Sequence, residues 1–404
     1  MQKTSFWKAG HTPTLLSSFF YFDLSFMVWV ILGPLAVQIA HDIGLTPAQK
    51  GLIVATPLLA GALLRIVMGV LVDHLQPKKA GLIGQLIVMA GLVWAWLGDL
   101  HNYHALLALG MILGVAGAAF AVALPLASRW YPPEHQGMAL GIAGAGNSGT
   151  ALAALFAPTL AIMFGWQNVF GLCLIPLGIA LAVYMIFAKD APSAPPPKSL
   201  GAYLQILKDR DAWWFMFFYS VTFGGFSGLA SSLTIYFNGQ YGLSPVTAGY
   251  FTAACVFAGS LIRPFGGRLA DRIGGIKTLS LMYLLAASFL FIASFGLSSP
   301  TIAVVVFVAA MLSLGVGNGA VFQLVPQRFH KEIGVMTGLV GMAGGIGGFY
   351  LASSLGYSKQ LTGSYQNGLI VFASLAIVAL LGLSTVKNRW RTTWGSAAMT
   401  TAKI

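Results

Sequence analysis

Charge is what this sequence lacks. Asp, Glu, Lys and Arg together make up 8% of its 404 residues, against about 25% in a soluble domain. Hydrophobic residues fill 57% of the chain and the mean hydropathy is +0.81. Side chains this poor in polarity cannot cover a globule in water, so lipid is the solvent. The net charge of +12 raises nucleic acid as a partner. The cations, however, come in short clusters between apolar runs and form no continuous basic stripe. That pattern fits membrane orientation and excludes a phosphate-backbone surface. Cysteine is nearly absent too. Cys173 and Cys255 both fall inside apolar segments, as small buried hydrophobes do, and carry no information on redox compartment. No metal cluster, Ser/His/Asp set or phosphate loop is visible. Neither enzymatic activity nor a cofactor is therefore expected.

Apolar runs long enough to cross ~30 Å of hydrocarbon occur twelve times. They lie near 13–39, 47–73, 80–98, 104–130, 136–164, 167–188, 212–238, 245–271, 278–297, 301–328, 333–357 and 366–386. Lys3 and Lys8 precede the first run as they would in a signal peptide, but the run is too long and lacks an A-x-A site, so it reads as a retained span. The expected fold class is an all-α membrane protein of two pseudo-symmetric six-helix bundles. The bundles span residues 1–188 and 211–390, joined by a linker at 189–210 and followed by a tail at 391–404. The linker contains the Pro-rich stretch APSAPPPK, stiff and extended. With the N-terminus placed in the cytoplasm, 18 of the 22 Lys and Arg fall inside, Lys50 and Lys359 fall outside, and Arg65 and Arg263 lie within spans. The positive-inside rule thus puts both termini in the cytoplasm of a multi-pass inner-membrane protein, expected to be a monomer.

The two halves repeat. LTPAQKGLIVATPLLAGALLRIVMGVLVDHLQPKK at 45–79 aligns without gaps on LSPVTAGYFTAACVFAGSLIRPFGGRLADRIGGIK at 243–277, an offset of 198. Pro47 meets Pro245, Gly51 meets Gly249, Gly61 meets Gly259, Arg65 meets Arg263, Gly69 meets Gly267, Asp73 meets Asp271 and Lys79 meets Lys277. A parallel duplication joined by a cytoplasmic linker is the layout of the major facilitator superfamily, and the loops after Gly69 and Gly267 resemble its loop signature. Asp73 and Asp271 are expected to form a gating clasp, each a carboxylate at a helix end meeting cations.

Arg65, Arg263 and Asp23 are the ionisable residues well inside spans. A cation at bilayer depth costs several kcal/mol, and arginine does not escape by losing its proton. Pairing both with Asp23 fails on stoichiometry, since two permanent cations face one carboxylate. Pseudo-symmetry brings equivalent positions together at a central cavity, so the two guanidiniums are expected to converge on an anion. Paired planar N–H donors suit a planar oxyanion, whereas a phosphate ester calls for more donors. Glycine-rich runs occupy corresponding places in the fifth and eleventh spans, GIAGAGNSGTALAALFAP from Gly141 and GLVGMAGGIGGFYLAS from Gly338. Such density permits backbone-to-backbone packing and a narrow, flexible site.

These paired signatures, with an Arg on the second span of each half, resemble the nitrate/nitrite porter family of the major facilitator superfamily over essentially the whole chain. The first matches through Gly144, Gly146, Asn147 and Gly149, the second through Gly341, Gly344, Gly345, Gly347, Gly348 and Phe349. Ala352 stands where a proline often ends the second. The resemblance implies that Arg65 and Arg263 clamp nitrate and that Asn147 helps to coordinate it. It also implies an aromatic sandwich containing Phe120, Tyr219 and Phe223, with either Phe22 or Phe26 from the first span. Gly144, Gly341 and Gly344 belong to the same expected substrate site.

The family includes nitrate/proton symporters and nitrate/nitrite exchangers. An anion entering a cell that is negative inside moves against ~2.3 kcal/mol per charge per 100 mV, so import needs a co-moving cation or an exchanged anion. Asp23 lies ~15 Å into its helix at 1.5 Å per residue. Its F-D-L-S-F-M-V-W setting resembles the proton-coupled branch. Proton-coupled uptake is the preferred expectation, with nitrate/nitrite exchange as the alternative and Asp23 as a fixed counter-ion the bland reading.

Overall fold

The chain is described by a computed structural model over residues 5–192, 200–329 and 332–394. Of the cations placed from the sequence, Lys3, Lys198, Lys331 and Lys403 lie outside these ranges, as does most of the Pro-rich stretch. Among the described residues the secondary structure is helical throughout. A backbone in hydrocarbon has no water to bond to, and helices satisfy each N–H and C=O internally.

Among the described residues eleven helices are long and apolar enough to cross a membrane, from Thr12–Ile43 to Gln366–Thr392. The seventh span, Arg210–Tyr241, has the length at 32 residues. Its Ser, Thr and Tyr hydroxyls lower its hydropathy, and it is buried along most of its length, so it faces other helices rather than lipid. With it the chain has the twelve spans expected. The last helix runs to Thr392, slightly beyond the expected end of the second bundle, and a short helix Leu200–Ile206 lies within the linker.

The duplicated prolines turn out to start helices in the same way. Thr46 caps the second span by accepting from the Gln49 N–H, with Pro47 at the first position. Ser244, 198 residues on, caps the eighth by accepting from the Thr247 N–H, with Pro245 at the first position. Proline has no N–H to leave unpaired there.

Four spans are interrupted. The first breaks between Trp29 and Leu32, the fourth between Gly117 and Phe120, and the eighth at Ile262, just before Arg263. The fifth passes from Pro133–Gly144 through a 3-10 turn at Ala145–Ser148 to Gly149–Phe164. In contrast, the seventh, tenth and eleventh spans run unbroken as Arg210–Tyr241, Pro300–Arg328 and Ile333–Thr362.

One end of the bundle is sealed by glycine. A Cβ on Gly51 would stand 2.9 Å from the Gly356 Cα, so the second and eleventh spans touch backbone to backbone. The Ala48 N–H donates to the Gln360 side-chain oxygen at 3.0 Å across the same seam. Gly33 packs on the Ser231 carbonyl and Gly249 on the Ala154 carbonyl. Toward the other end, where the linker lies, a Cβ on Gly141 or Gly267 would meet nothing within 4 Å.

At that end the two expected gating carboxylates part ways. Asp73 pairs with Arg129 at 3.4 Å. Asp271 is exposed and makes no ion pair among the described residues. The second half instead uses Asp209 and Asp211 at the start of the seventh span. Arg328 reaches Asp209 at 2.5 Å and Asp211 at 2.9 Å, while Arg389 and the Trp390 indole N–H also bind Asp211.

Candidate functional site

Arg65 is 1% exposed in the middle of the second span. Its Nε donates to the Gly117 carbonyl at 3.2 Å and its Nη1 to the Gly341 carbonyl at 2.5 Å. Gly117 ends the first piece of the broken fourth span, where helix carbonyls are left without a partner in their own helix. Nη2 is buried and has no partner. The guanidinium lies 4.9 Å from the Phe120 ring centroid, 5.2 Å from Phe223, 5.5 Å from Trp29 and 6.0 Å from Phe26.

Arg263 opens the second piece of the eighth span and is half-buried. Its Nη2 donates to the Tyr219 hydroxyl at 3.1 Å, and its guanidinium sits 5.6 Å from the Phe322 ring. Nη1 is buried and unpartnered.

The rings connect the two cations. Tyr219 and Phe223 stack at 5.2 Å and 4°. Phe322 meets Tyr219 edge-on at 5.0 Å and lies 6.3 Å from Phe120. A path therefore runs from Arg65 through Phe223 and Tyr219 to Arg263, and back through Phe322 and Phe120. Cation–π attraction helps to hold desolvated guanidiniums in such a cage. Neither arginine makes an ion pair among the described residues.

The glycines make room for this arrangement. A Cβ on Gly341 would sit 3.4 Å from the Arg65 Nη1 and 3.5 Å from Phe120. A Cβ on Gly344 would come within 2.8 Å of both Tyr219 and Phe223. Gly144 lies across from Arg263, whose Cζ would be 4.0 Å from an added Cβ. Asn147, in the 3-10 turn, is 1% exposed with its amide oxygen unpartnered.

Asp23 stands apart from the cations. Its carboxylate accepts from the Ser148 hydroxyl at 2.7 Å, beside Gly149 where the last piece of the fifth span begins. The N-terminal end of a helix attracts negative charge. Gly149 itself packs on the Asp23 carbonyl. The bland reading of Asp23 as counter-ion to the arginines is thus not the arrangement found. Of the two first-span aromatics, Phe26 faces Arg65, whereas Phe22 lies tilted against Phe26 with ring centroids 4.1 Å apart and packs against Gly146.

Two residues of the cage escaped the sequence reading. Trp29 ends the first piece of the first span and is fully buried. Its indole N–H donates to the Pro57 carbonyl at 2.7 Å, and its ring fills the space left by Gly61 and Gly117. Phe322 is the other. The duplication hides it, because the residue matching Phe120 at an offset of 198 is Asn318, one helical turn earlier. The usable signal for Trp29 was its place in the F-D-L-S-F-M-V-W stretch opposite two glycines.

Known proteins resemble this chain over most of its length. The Major Facilitator Superfamily family model matches residues 18–352. A "Probable nitrate/nitrite transporter NarK2" of Mycobacterium tuberculosis is 34% identical over 92% of this chain and 95% of its own. The "Nitrite extrusion protein" of Bacillus subtilis is 32% identical over 88% and 89%. A "Probable nitrate transporter NarT" of Staphylococcus carnosus is 33% identical over 90% and 94%. The fold is similar to that of a bacterial homologue of the human lysosomal transporter Spinster in an inward-facing and occupied conformation, with a TM-score of 0.71, 16% identity and coverage of 94% and 97%. The chain belongs to the nitrate/nitrite porter family of the major facilitator superfamily.

Proposed function

We propose that this protein carries nitrate, and nitrite, across the inner membrane by alternating access, with Arg65 and Arg263 as the clamp. One observation carries the reading. Two guanidiniums, one from each half, each keep a buried and unpartnered Nη inside one aromatic cage, with no carboxylate paired to either among the described residues. A permanent charge left in that state is costly, and a small planar oxyanion supplies the missing acceptors and charge. The aromatic walls add only the Tyr219 hydroxyl as a further donor, which suits a weakly hydrated monovalent anion better than a phosphate ester. The names of the relatives point to the same substrates.

The distribution of Lys and Arg supports cytoplasmic termini, and on that orientation the glycine seam at Gly51 and Gly356 faces outward. The form described is then closed to the outside at that seam. Asp73 with Arg129, and the Asp209 and Asp211 cluster, hold the inner end of each half. We assign proton-coupled uptake as the mode, with Asp23 as the proton carrier, and nitrate/nitrite exchange as the alternative. The placement of Asp23 between the first and fifth spans, away from the arginines, supports a role other than permanent counter-ion. The test is flux in proteoliposomes with pH gradient, voltage and internal nitrite varied one at a time. Absence of nitrate flux under all three conditions overturns the substrate assignment.

A further inference from the structure

Lys50 and Lys359 are the two cations that the charge census puts on the sealed face, and the fold brings them to one place. They come from opposite halves, Lys50 from the second span and Lys359 from the eleventh, and both line a small cavity beside the glycine seam with Ser232, Tyr236 and Tyr365. Both are half-buried. The Lys359 ammonium donates to the Gly363 carbonyl at 2.8 Å and lies 5.2 Å from the Tyr365 ring. The Lys50 ammonium has no hydrogen-bond acceptor or ion pair among the described residues. No carboxylate lines the cavity. The cavity measures about 20 Å³, room for a water but not for an oxyanion. Two like charges thus converge here without a carboxylate beside them.

The same two helices carry the inner clamp. The second span bears Arg65 fifteen residues from Lys50, about 22 Å along the helix at 1.5 Å per residue. The eleventh bears the Gly341 carbonyl that Arg65 grips. When the seam parts, the lysines flank the mouth of a path that leads to the arginines.

We propose that Lys50 and Lys359 form an outer recruitment site for small inorganic oxyanions, which concentrates the anion at the mouth before it reaches the arginine clamp. This rests on the transport reading and on the outward placement of the seam. Convergent positive charge in a low-dielectric mouth raises the local anion concentration and the entry rate, and salt screens the effect. The site therefore acts on loading from the outside and leaves the maximal rate and loading from the inside unchanged.

The test compares wild type, the Lys50→Met/Lys359→Met double variant and the Lys50→Arg/Lys359→Arg double variant. Nitrate uptake is measured in whole cells for the outer face and in inverted membrane vesicles for the inner face, at low and high ionic strength. The Met variant is expected to raise the outer KM about threefold to tenfold at low salt, with the gap closing as salt rises. Its maximal rate and inner KM stay at wild-type values, and the Arg variant recovers the outer KM. An unchanged outer KM at low salt overturns the proposal, as does an equal rise at both faces. Failure of the Arg variant to recover the outer KM overturns it too. A wild-type protein that moves neither nitrate nor nitrite removes the transport reading and this site with it. Normal wild-type flux with an indifferent Met variant removes the site alone.

Discussion

The carbonyl oxygen of Gly341 accepts a hydrogen bond from Nη1 of Arg65, so the cation of one half is held by the backbone of the other. The pairing is reciprocal in position. Gly144, which matches Gly341 at an offset of 197 in the sequence, faces Arg263 across the same interface. Each arginine is thus met by a glycine of the opposite glycine-rich run. Rocking of the halves must change both contacts together.

Arg65→Lys is expected to abolish nitrate binding with the charge retained. A lysine ammonium cannot serve Gly117, Gly341 and a substrate from one planar fork, and the loss is ~2–5 kcal/mol for a buried charge-assisted contact. Arg263→Lys follows for the same reason, through its single contact to Tyr219. Binding is read by nitrate protection in calorimetry of the purified protein. Near wild-type affinity in either variant removes the two-arginine clamp.

Glycine substitutions should sort by what lies opposite. Gly341→Leu pushes into Arg65 and Phe120 and stops transport, with the protein still inserted. Gly144→Leu reaches Arg263 and does likewise. Gly149→Ala places a methyl on the Asp23 carbonyl and lowers folded yield, whereas Gly141→Ala meets open space and is silent. Expression, thermal melting and flux of the four variants decide the matter. An active Gly341→Leu protein would mean that the run serves packing alone.

Trp29→Phe keeps a ring beneath Arg65 but loses the bond to the Pro57 carbonyl, worth about 0.5–1.5 kcal/mol. It should raise the nitrate KM severalfold with little change in maximal rate. Trp29→Leu removes the ring as well and opens a cavity, with about 3–5 kcal/mol of destabilisation expected for loss of a large buried aromatic. If both variants have a wild-type KM, Trp29 does not position Arg65.

Asp23→Asn tests coupling. The variant is expected to keep nitrite-driven nitrate exchange and to lose accumulation driven by a pH gradient. Retained pH-driven accumulation takes Asp23 out of the proton path and favours exchange as the physiological mode.

The fold was legible from composition and from the duplicated prolines, glycines and arginines, because spanning a bilayer forces long apolar helices and a gene duplication preserves their caps. Arg65, Arg263, Phe120, Tyr219 and Phe223 do lie together around one cage. Trp29 and Phe322 were passed over; their matching positions in the other half are Ser227 and Leu124. Asp73 and Asp271, matched in sequence, differ in their partners: Asp73 pairs with Arg129, whereas the second half anchors Arg328 on Asp209 and Asp211. What duplication predicts is backbone geometry. Side-chain partners diverge once each half meets different neighbours.

The interruptions of the helices are distributed unevenly, and this has a mechanical consequence. Three of the four breaks fall in the first six spans, at Val30–Ile31, Ala118–Ala119 and Ala145–Ser148, while the matching seventh, tenth and eleventh spans are continuous. At these places i→i−3 bonds interrupt the i→i−4 ladder, and tightened turns of this kind inside a helix mark hinges. Compliance therefore resides in the first half, which flexes around Arg65, and the second half acts as a stiff anvil against which it is pressed. Amide exchange during turnover should be fastest at those three breaks and slow along Tyr219–Phe226, so that one half deforms while the other merely turns.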